Sequence, residues 1–154
     1  TLIEILITSA IMVVALVSIL GFFAYSLSAA GGDRSLAIAE YEAERQMEAI
    51  CAMDYSNGVN GVKETFTNNG AKRETPFNLT SNLTGRGTVY AEELPGAADS
   101  LMRIKVAVCY QDKDRTVGED VNFNGILDAG EDVNNNGEID SPCQLETVLV
   151  NKET

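Results

Sequence analysis

The sequence predicts an α+β fold in which a long N-terminal helix packs on a small antiparallel β-meander that carries an acidic loop insertion. Residues 2–27 form an apolar run with one charged residue, Glu4. Residues 35–50 repeat apolar side chains at helical spacing, and three later segments show strand-like patterning. Negative charge is concentrated in 112–140, which holds nine acidic and two basic residues, a net charge of −7. This separation of charge predicts a helical stem, a head and an insertion.

The apolar run is long enough to cross a bilayer as one helix. A secretory signal peptide explains it less well, because the run is too long and its first residues carry no positive charge. A single-span anchor is the stronger alternative, but it leaves Glu4 unexplained, since an isolated carboxylate in hydrocarbon needs a partner. The nearest candidate is an α-amino group, on this chain or on a neighbour. The sequence does not begin with Met, which indicates a processed chain.

The second half of the helix is predicted to be amphipathic and to lie on the sheet. Its apolar stripe is Leu36, Ala39, Ala43, Met47 and Ile50, and its other faces carry Glu40, Glu44, Arg45 and Glu48.

Glycines predict an interruption of the helix. Gly21 and the Gly31-Gly32 pair each weaken a helix interior, so we expect a kink or break between Gly21 and Asp33. Asp33 or Ser35 could cap a restarted helix.

Three strands are predicted in the head, at residues 86–94, 101–111 and 144–150. Residues 57–82 are predicted to be loop with short strands. Strands that follow one another in this way favour an antiparallel meander packed on the helix stripe. The clearest alternation is that of Ile104, Val106, Val108 and Tyr110 against Lys105, Ala107 and Cys109.

The N-terminal run Thr1-Leu2-Ile3-Glu4-Ile5-Leu6-Ile7, followed by Ala, Val, Ile and Leu, resembles the mature start of type IV pilins and type II secretion pseudopilins. The resemblance extends to about residue 55. Two features depart from the family pattern. Family members usually carry one more residue, commonly Phe, before this run, and many have a proline in the apolar helix. The prolines here are Pro76, Pro95 and Pro142.

The resemblance implies a structural role. In that family a prepilin peptidase cuts before this segment, the new N-terminus is methylated, and the subunit waits in the lipid bilayer. Inner-membrane assembly machinery then polymerises it into an extracellular filament, a helical homopolymer. The Glu of the motif, here Glu4, neutralises the terminal amine of an adjacent subunit, which here would belong to Thr1. Buried charges of this kind are strongly paired and costly to separate.

The same resemblance divides the chain into a helix and a head. Residues 1–55 would be the helix, with 1–30 as the filament core and 31–55 as the amphipathic half. Residues 56–154 would be the head, including the 112–143 insertion. Two alternatives remain open: a minor pilin or pseudopilin that primes assembly or secretion, and a membrane-anchored calcium-binding module that never polymerises.

The insertion contains a tandem repeat of period twelve. Residues 118–129 read GEDVNFNGILDA and residues 130–141 read GEDVNNNGEIDS, with eight of twelve positions identical. The first copy matches the calcium loop of EF-hands, in which oxygens at alternate positions surround one ion, Gly permits a sharp turn and a terminal Glu closes the site. Its predicted ligands are Asp120, Asn122, Asn124, the main-chain carbonyl of Ile126, Asp128 and Glu131.

The second copy is incomplete. Its closing position is Cys143, so it needs Asp112, Asp114 or Glu119 to complete it. We therefore expect one Ca²⁺ in the first loop and a second only if such a residue helps. The abutting loops leave no room for EF-hand helices and are more similar to dockerin and thrombospondin loops, which favours a structural role. The other predicted ligands are Asp132, Asn134, Asn136, the main-chain carbonyl of Glu138 and Asp140.

Cysteines flank this insertion. A disulfide between Cys109 and Cys143 would close it at its base, and pilin heads often carry a bridge near the C-terminal end. An assembled subunit would lie outside the cytoplasm, where disulfides persist. Cys51 would then be unpaired, and three free thiols are the alternative.

Composition argues against other functional classes. The formal net charge of −12 is unsuited to nucleic acid, which requires clustered Lys and Arg. The chain has no His, so the usual catalytic dyads and triads cannot be built. We therefore expect a protein that is not an enzyme.

Overall fold

The computed structural model describes residues 1–53, 55, 61–67, 72–96 and 100–151. The chain divides into two compact units, Thr1–Ser35 and Leu36–Thr154. The predicted α+β class is confirmed. The elements are helix α1 (Leu2–Cys51), short helix α2 (Val62–Phe66) and strands β1 (Arg73–Asn78), β2 (Gly85–Glu93), β3 (Leu101–Asp112), β4 (Arg115–Val117) and β5 (Cys143–Val150).

The sheet is antiparallel and centred on β3. Its order is β1-β2-β3-β4, and β5 also pairs with β3. On the edge away from β2, residues 110–112 of β3 pair with β4 and residues 101–108 pair with β5. The insertion therefore leaves this edge after β4 and returns to it at β5.

Most of the predicted strands are confirmed. The three predicted ones correspond to β2, β3 and β5, with ends that differ by about one residue. Strand β1 lies in the stretch 57–82, where short strands were expected. Helix α2 was missed there, and residues 56–60 and 68–71 lie outside the described part of the chain.

The predicted helix stripe is confirmed in the second unit. Ala39, Ala43 and Ile50 are buried in the main core, and Leu36 and Met47 pack against it. The sheet contributes alternate residues to this core, since successive side chains of a strand point to opposite faces. These residues are Val89, Ala91, Met102, Ile104, Val106, Val108 and Tyr110.

A buried carboxylate on the helix was not predicted. Glu42 is 1% exposed. Its Oε1 accepts hydrogen bonds from the Thr80 hydroxyl at 2.8 Å and from the main-chain N–H groups of Thr80 and Ser81 at 3.1 and 2.7 Å. Arg45 reaches its Oε2 at 3.1 Å. Glu42 therefore fixes the β1–β2 connection to the helix, with both of its carboxylate oxygens hydrogen-bonded.

The predicted break in the helix is wrong. Helix α1 is continuous from Leu2 to Cys51, through Gly21 and the Gly31-Gly32 pair. Ser35 does not cap a new helix, because its hydroxyl donates to the Gly31 carbonyl at 3.3 Å, as in a helix interior. Each glycine costs about 1 kcal/mol relative to Ala, which is less than the loss of several main-chain hydrogen bonds at a break.

The first unit exposes its apolar side chains. The large hydrophobic residues between Leu2 and Leu27 are between 52% and 80% exposed. Among the residues described, α1 is the one helix long and apolar enough to cross a membrane. Apolar surface on this scale marks a membrane or protein interface.

The predicted Cys109–Cys143 disulfide is wrong, because all three cysteines are free. Cys143 pairs with Val108 in the β3–β5 register, so both side chains lie on the helix side of the sheet. Cys109 is the next residue along β3 and points to the opposite face, where it packs with Tyr90 and Ile139. Burial raises the pKa of both thiols to about 11, which suppresses the reactive thiolate.

Substituting Glu42 should destabilise the second unit. Glu42→Ala removes the buried carboxylate that accepts the N–H groups of Thr80 and Ser81 and pairs with Arg45, which should cost about 3 kcal/mol. Thermal unfolding of the full chain in detergent micelles, followed by near-UV circular dichroism, measures the loss. Glu48→Ala is the matched control, since Glu48 is exposed on the same helix and should change stability by less than about 0.5 kcal/mol. Equal melting of the two variants would contradict the anchoring role of Glu42.

Thiol counting should find three free cysteines. Alkylation with iodoacetamide in denaturant, without prior reduction, should add three carbamidomethyl groups by intact mass. In the native state only exposed Cys51 should react quickly, because the Cys109 and Cys143 thiols are buried. A pre-reduced sample is the control. A single alkylation before reduction and three afterwards would show that the bridge forms after all.

Candidate metal centre

The repeated loops between β4 and β5 cover the face of the sheet opposite the helix. The Thr88 hydroxyl donates to the Gly125 carbonyl at 2.9 Å, and the Ile139 N–H donates to the Tyr90 hydroxyl at 2.7 Å. A second hydrophobic cluster lies at this contact. It comprises Tyr90, Cys109 and Ile139, with Phe123 and Leu127 packed against them.

The first loop approaches the sheet closely at Gly125. Its φ is +77°, and a Cβ there would lie 2.5 Å from Pro76 Cβ and 3.1 Å from Arg86 Cγ. Glycine is therefore required here for two reasons: the backbone is left-handed, and there is no room for a side chain. Gly137, its counterpart twelve residues later, has a φ of +71°.

The two loops have the same backbone conformation. Phe123 and Asn135, twelve residues apart, have φ values of +56° and +58°, which are uncommon for residues other than glycine. Gly118 and Gly130 match in the same way, with +104° and +96°. The repeat in sequence is thus also a structural repeat.

Asp120 organises the first loop. It is 1% exposed, and its two carboxylate oxygens accept the N–H groups of Asn124 at 3.1 Å and Gly125 at 2.7 Å. Burial raises the pKa of Asp120, the N–H bonds from Gly125 and Asn124 oppose this, and the nearby Glu131 carboxylate raises it further. Negative charge is therefore held here at an electrostatic cost that a cation would relieve.

The other predicted ligands of the first loop are tied together by hydrogen bonds. Asp128 Oδ2 accepts the side-chain amides of Asn122 at 2.8 Å and Asn124 at 2.7 Å. Glu131 spans the loop, because its Oε1 accepts the Val121 N–H at 2.9 Å and its Oε2 the Asp128 N–H at 3.1 Å. Ile126 donates its N–H to Asn124 Oδ1 at 2.7 Å.

The second loop repeats these contacts. Asp132 accepts the N–H groups of Asn136 at 3.0 Å and Gly137 at 2.9 Å. Asp140 Oδ2 accepts the side-chain amides of Asn134 and Asn136. The Glu138 N–H donates to Asn136 Oδ1 at 2.8 Å, as Ile126 does in the first loop.

Glu119 is the acidic residue that approaches the second loop. Its Oε1 accepts the Val133 N–H at 3.2 Å and its Oε2 the Asp140 N–H at 2.9 Å. The sequence left Asp112, Asp114 and Glu119 as alternatives for this position. In the structure, the first two belong to the β3–β4 hairpin, in which Asp112 pairs with Arg115 in the strand register.

Basic residues of the sheet hold the second loop, a feature that sequence reasoning missed. Lys105 is 4% exposed and contacts Asp140 Oδ1 and, at 3.1 Å, Glu138 Oε2. Arg103 also pairs with Glu138. Burial raises the pKa of Glu138, but Lys105 and Arg103 outweigh it and hold the pKa below its ordinary value. The available signal was the pair of basic residues, Arg103 and Lys105, inside a largely apolar strand, since an interior lysine must find an acid.

The predicted donors fit a hard cation in their chemical type and in their order along the chain. The predicted ligands are carboxylate, amide and main-chain oxygens, which suit Ca²⁺ rather than softer transition metals. Across residues 1–53, 55, 61–67, 72–96 and 100–151, no three Asp, Glu, Cys or His side chains are arranged to hold a metal. The first-loop carboxylates instead each accept separate main-chain or amide N–H groups.

The predicted assembly residues lie in the first unit. The amino group of Thr1 is 3.3 Å from Glu4 Oε2, and both are largely exposed. The carboxylate and the amine can therefore pair within one chain, one turn apart, and each is accessible to another molecule.

No protein-family model, curated protein or solved structure matches this chain.

Proposed function

We propose that the chain is a structural subunit that polymerises into an extracellular type IV pilus-like filament, with a head stabilised by calcium. The observation that carries this proposal is the exposed apolar run 2–27 of the first unit, in which Glu4 is the single charged side chain. Such a surface requires either lipid or other helices around it.

Glu4 favours polymerisation over simple anchoring. Placing a carboxylate near the start of an apolar span costs free energy in lipid, and a simple membrane anchor has no use for it. In a bundle of identical helices it becomes useful, because it can accept the terminal amine of a neighbour and set the register between subunits.

The exposed apolar helix also indicates where the chain would lie before and after assembly. Before assembly the helix would reside in the cytoplasmic membrane, where prepilin peptidase and the assembly machinery act on it. After assembly the helix would be buried among copies of itself, outside the cell, with the second unit facing solvent. A minor pilin or pseudopilin would use the same contacts, and the abundance of the chain in purified filaments separates these roles.

We propose that the repeated loops bind calcium. Seven acidic residues and no basic residue lie between Glu119 and Asp140. Bare extracellular loops of this kind bind Ca²⁺ at about 10⁻⁴ to 10⁻³ M, so they would fill outside a cell and not inside it. Because these loops cover one face of the sheet, ordering them would stabilise the head.

Filament assembly should depend on Glu4. Glu4→Gln removes the negative charge with little change in size, so an incoming terminal amine would be buried without a partner. We expect the variant to accumulate in the membrane and filament yield to fall at least about tenfold, since the lost pairing exceeds about 1.4 kcal/mol. Glu48→Gln, an exposed carboxylate further along the helix, should assemble normally. Wild-type filament yield from Glu4→Gln would rule out the polymerisation role of this residue.

Chelation should weaken the head. Removing calcium with EGTA should lower the melting temperature of filaments by several degrees, and limited proteolysis should first cut within residues 118–142, since repelling carboxylates loosen the loops. Asp120→Ala should reproduce most of this loss, whereas Asp114→Ala, an exposed acid outside the loops, should not. If chelated and calcium-loaded filaments melt and resist protease alike, calcium has no structural role.

A further inference from the structure

The second loop, residues 130–141, receives basic side chains from the sheet. Lys72, the residue before β1, donates to the Gly137 carbonyl at 2.7 Å, and its Nζ lies 3.6 Å from Glu138 Oε1. Arg103 of β3 pairs with the same carboxylate. The sheet therefore holds this loop by ionic contacts that come from outside the repeat.

Lys105 is the most deeply buried of these cations. It is 4% exposed, and its Nζ contacts Asp140 Oδ1 and, at 3.1 Å, Glu138 Oε2. The other oxygen of Asp140 accepts the side-chain amides of Asn134 and Asn136. A single ammonium group thus binds the carboxylate around which the polar side chains of the loop gather.

The first loop has the same internal contacts but a different residue facing the sheet. Asp128, the equivalent of Asp140, accepts the side-chain amides of Asn122 and Asn124. The equivalent of Glu138 is Ile126, twelve residues earlier. The first loop therefore has no acid at the position through which the second loop meets Lys72, Arg103 and Lys105.

The groups that the sheet presents to the first loop are also different. The Thr88 hydroxyl donates to the Gly125 carbonyl at 2.9 Å, and Glu74 Oε2 accepts the Leu127 N–H at 3.4 Å. Neither a hydroxyl nor a carboxylate offsets the negative charge of the first loop. Like charges that remain unpaired repel one another, whereas a buried ion pair is attractive and little screened by salt.

We propose that Lys105 acts as a built-in cation of the second loop, so that this loop keeps its order without calcium and the calcium dependence of the head resides in the first loop. This inference rests on the proposed calcium function and specifies which half of the repeat responds to the ion.

The second loop is the half of the insertion that supplies a fully buried side chain to the sheet. Ile139 is 1% exposed, and its N–H donates to the Tyr90 hydroxyl at 2.7 Å. The first loop contributes Phe123 and Leu127, which are only partly buried. Lys105 thus keeps Tyr90 and Ile139 covered at any calcium concentration, while the first loop can loosen without opening this cluster.

Hydrogen exchange of the full chain in detergent micelles, followed by mass spectrometry, tests the proposal. Replacing calcium with EGTA should speed exchange in peptides covering residues 120–128 at least about tenfold, because the loss of a ligand that binds only the ordered loop removes its stabilisation. Exchange in peptides covering residues 132–140 should stay unchanged. Peptides from β2 and β3 report whether the sheet remains folded.

Substitution of Lys105 tests the role of its charge. In EGTA, Lys105→Gln should speed exchange of residues 132–140 at least about tenfold, because the carboxylates of Glu138 and Asp140 lose a charged hydrogen bond. Lys105→Arg keeps the charge and should exchange at close to the wild-type rate. Arg115→Gln is the matched control, since it removes an exposed basic residue of the same sheet and should leave both loops unchanged.

The possible outcomes separate the two proposals. Exchange that EGTA changes in neither loop of the wild-type chain would overturn the calcium function itself. Equal acceleration of both loops would leave that function intact and overturn the inference that the second loop is independent of calcium. Wild-type exchange of the second loop in Lys105→Gln would overturn the role of Lys105.

Discussion

The structure of the second unit depends on the burial of β3 on both of its faces. A central strand that is buried twice requires two covers, and neither can be solvent. Helix α1 supplies one cover through its apolar stripe, and the repeated loops supply the other through Ile139, Phe123 and Leu127. The acidic insertion is therefore part of the core architecture, although its composition is that of a solvated loop.

This arrangement explains why the head contains buried charge. The loop-facing side of β3 carries Lys105, which would be very costly to bury alone. The loops bring Glu138 and Asp140 to the same face, where the lysine and the two acids neutralise one another. On the helix side Glu42 plays a comparable part by accepting N–H groups of the β1–β2 connection. Both covers are thus attached by charged hydrogen bonds in addition to apolar contact.

The two units place opposite demands on their surroundings. The first unit exposes an apolar helix, whereas the second buries its own core and carries most of the acidic residues. An exposed apolar surface of this size marks a membrane or protein interface, while the second unit forms its core from its own helix, strands and loops.

Local patterns determined much of the fold. The apolar stripe from Leu36 to Ile50 and the alternation of β3 each repeat with the period of their own secondary structure, so they could be identified without knowing what packs against them. The repeat of period twelve was equally visible, because the ligand pattern of a calcium loop is contained within twelve consecutive residues. The position of Glu4 is likewise a property of the sequence.

Tertiary structure decided the features that depend on residues distant in sequence. The register between β3 and β5 determines the face of the sheet on which each cysteine lies. Cys109 and Cys143 are therefore on opposite faces, although both flank the insertion. The glycines lower the helix propensity of this segment, but the cooperative hydrogen bonding of the helix keeps it continuous. The acid that lies across the second loop could be identified as Glu119 only in space, because sequence spacing does not show how two loops fold against each other.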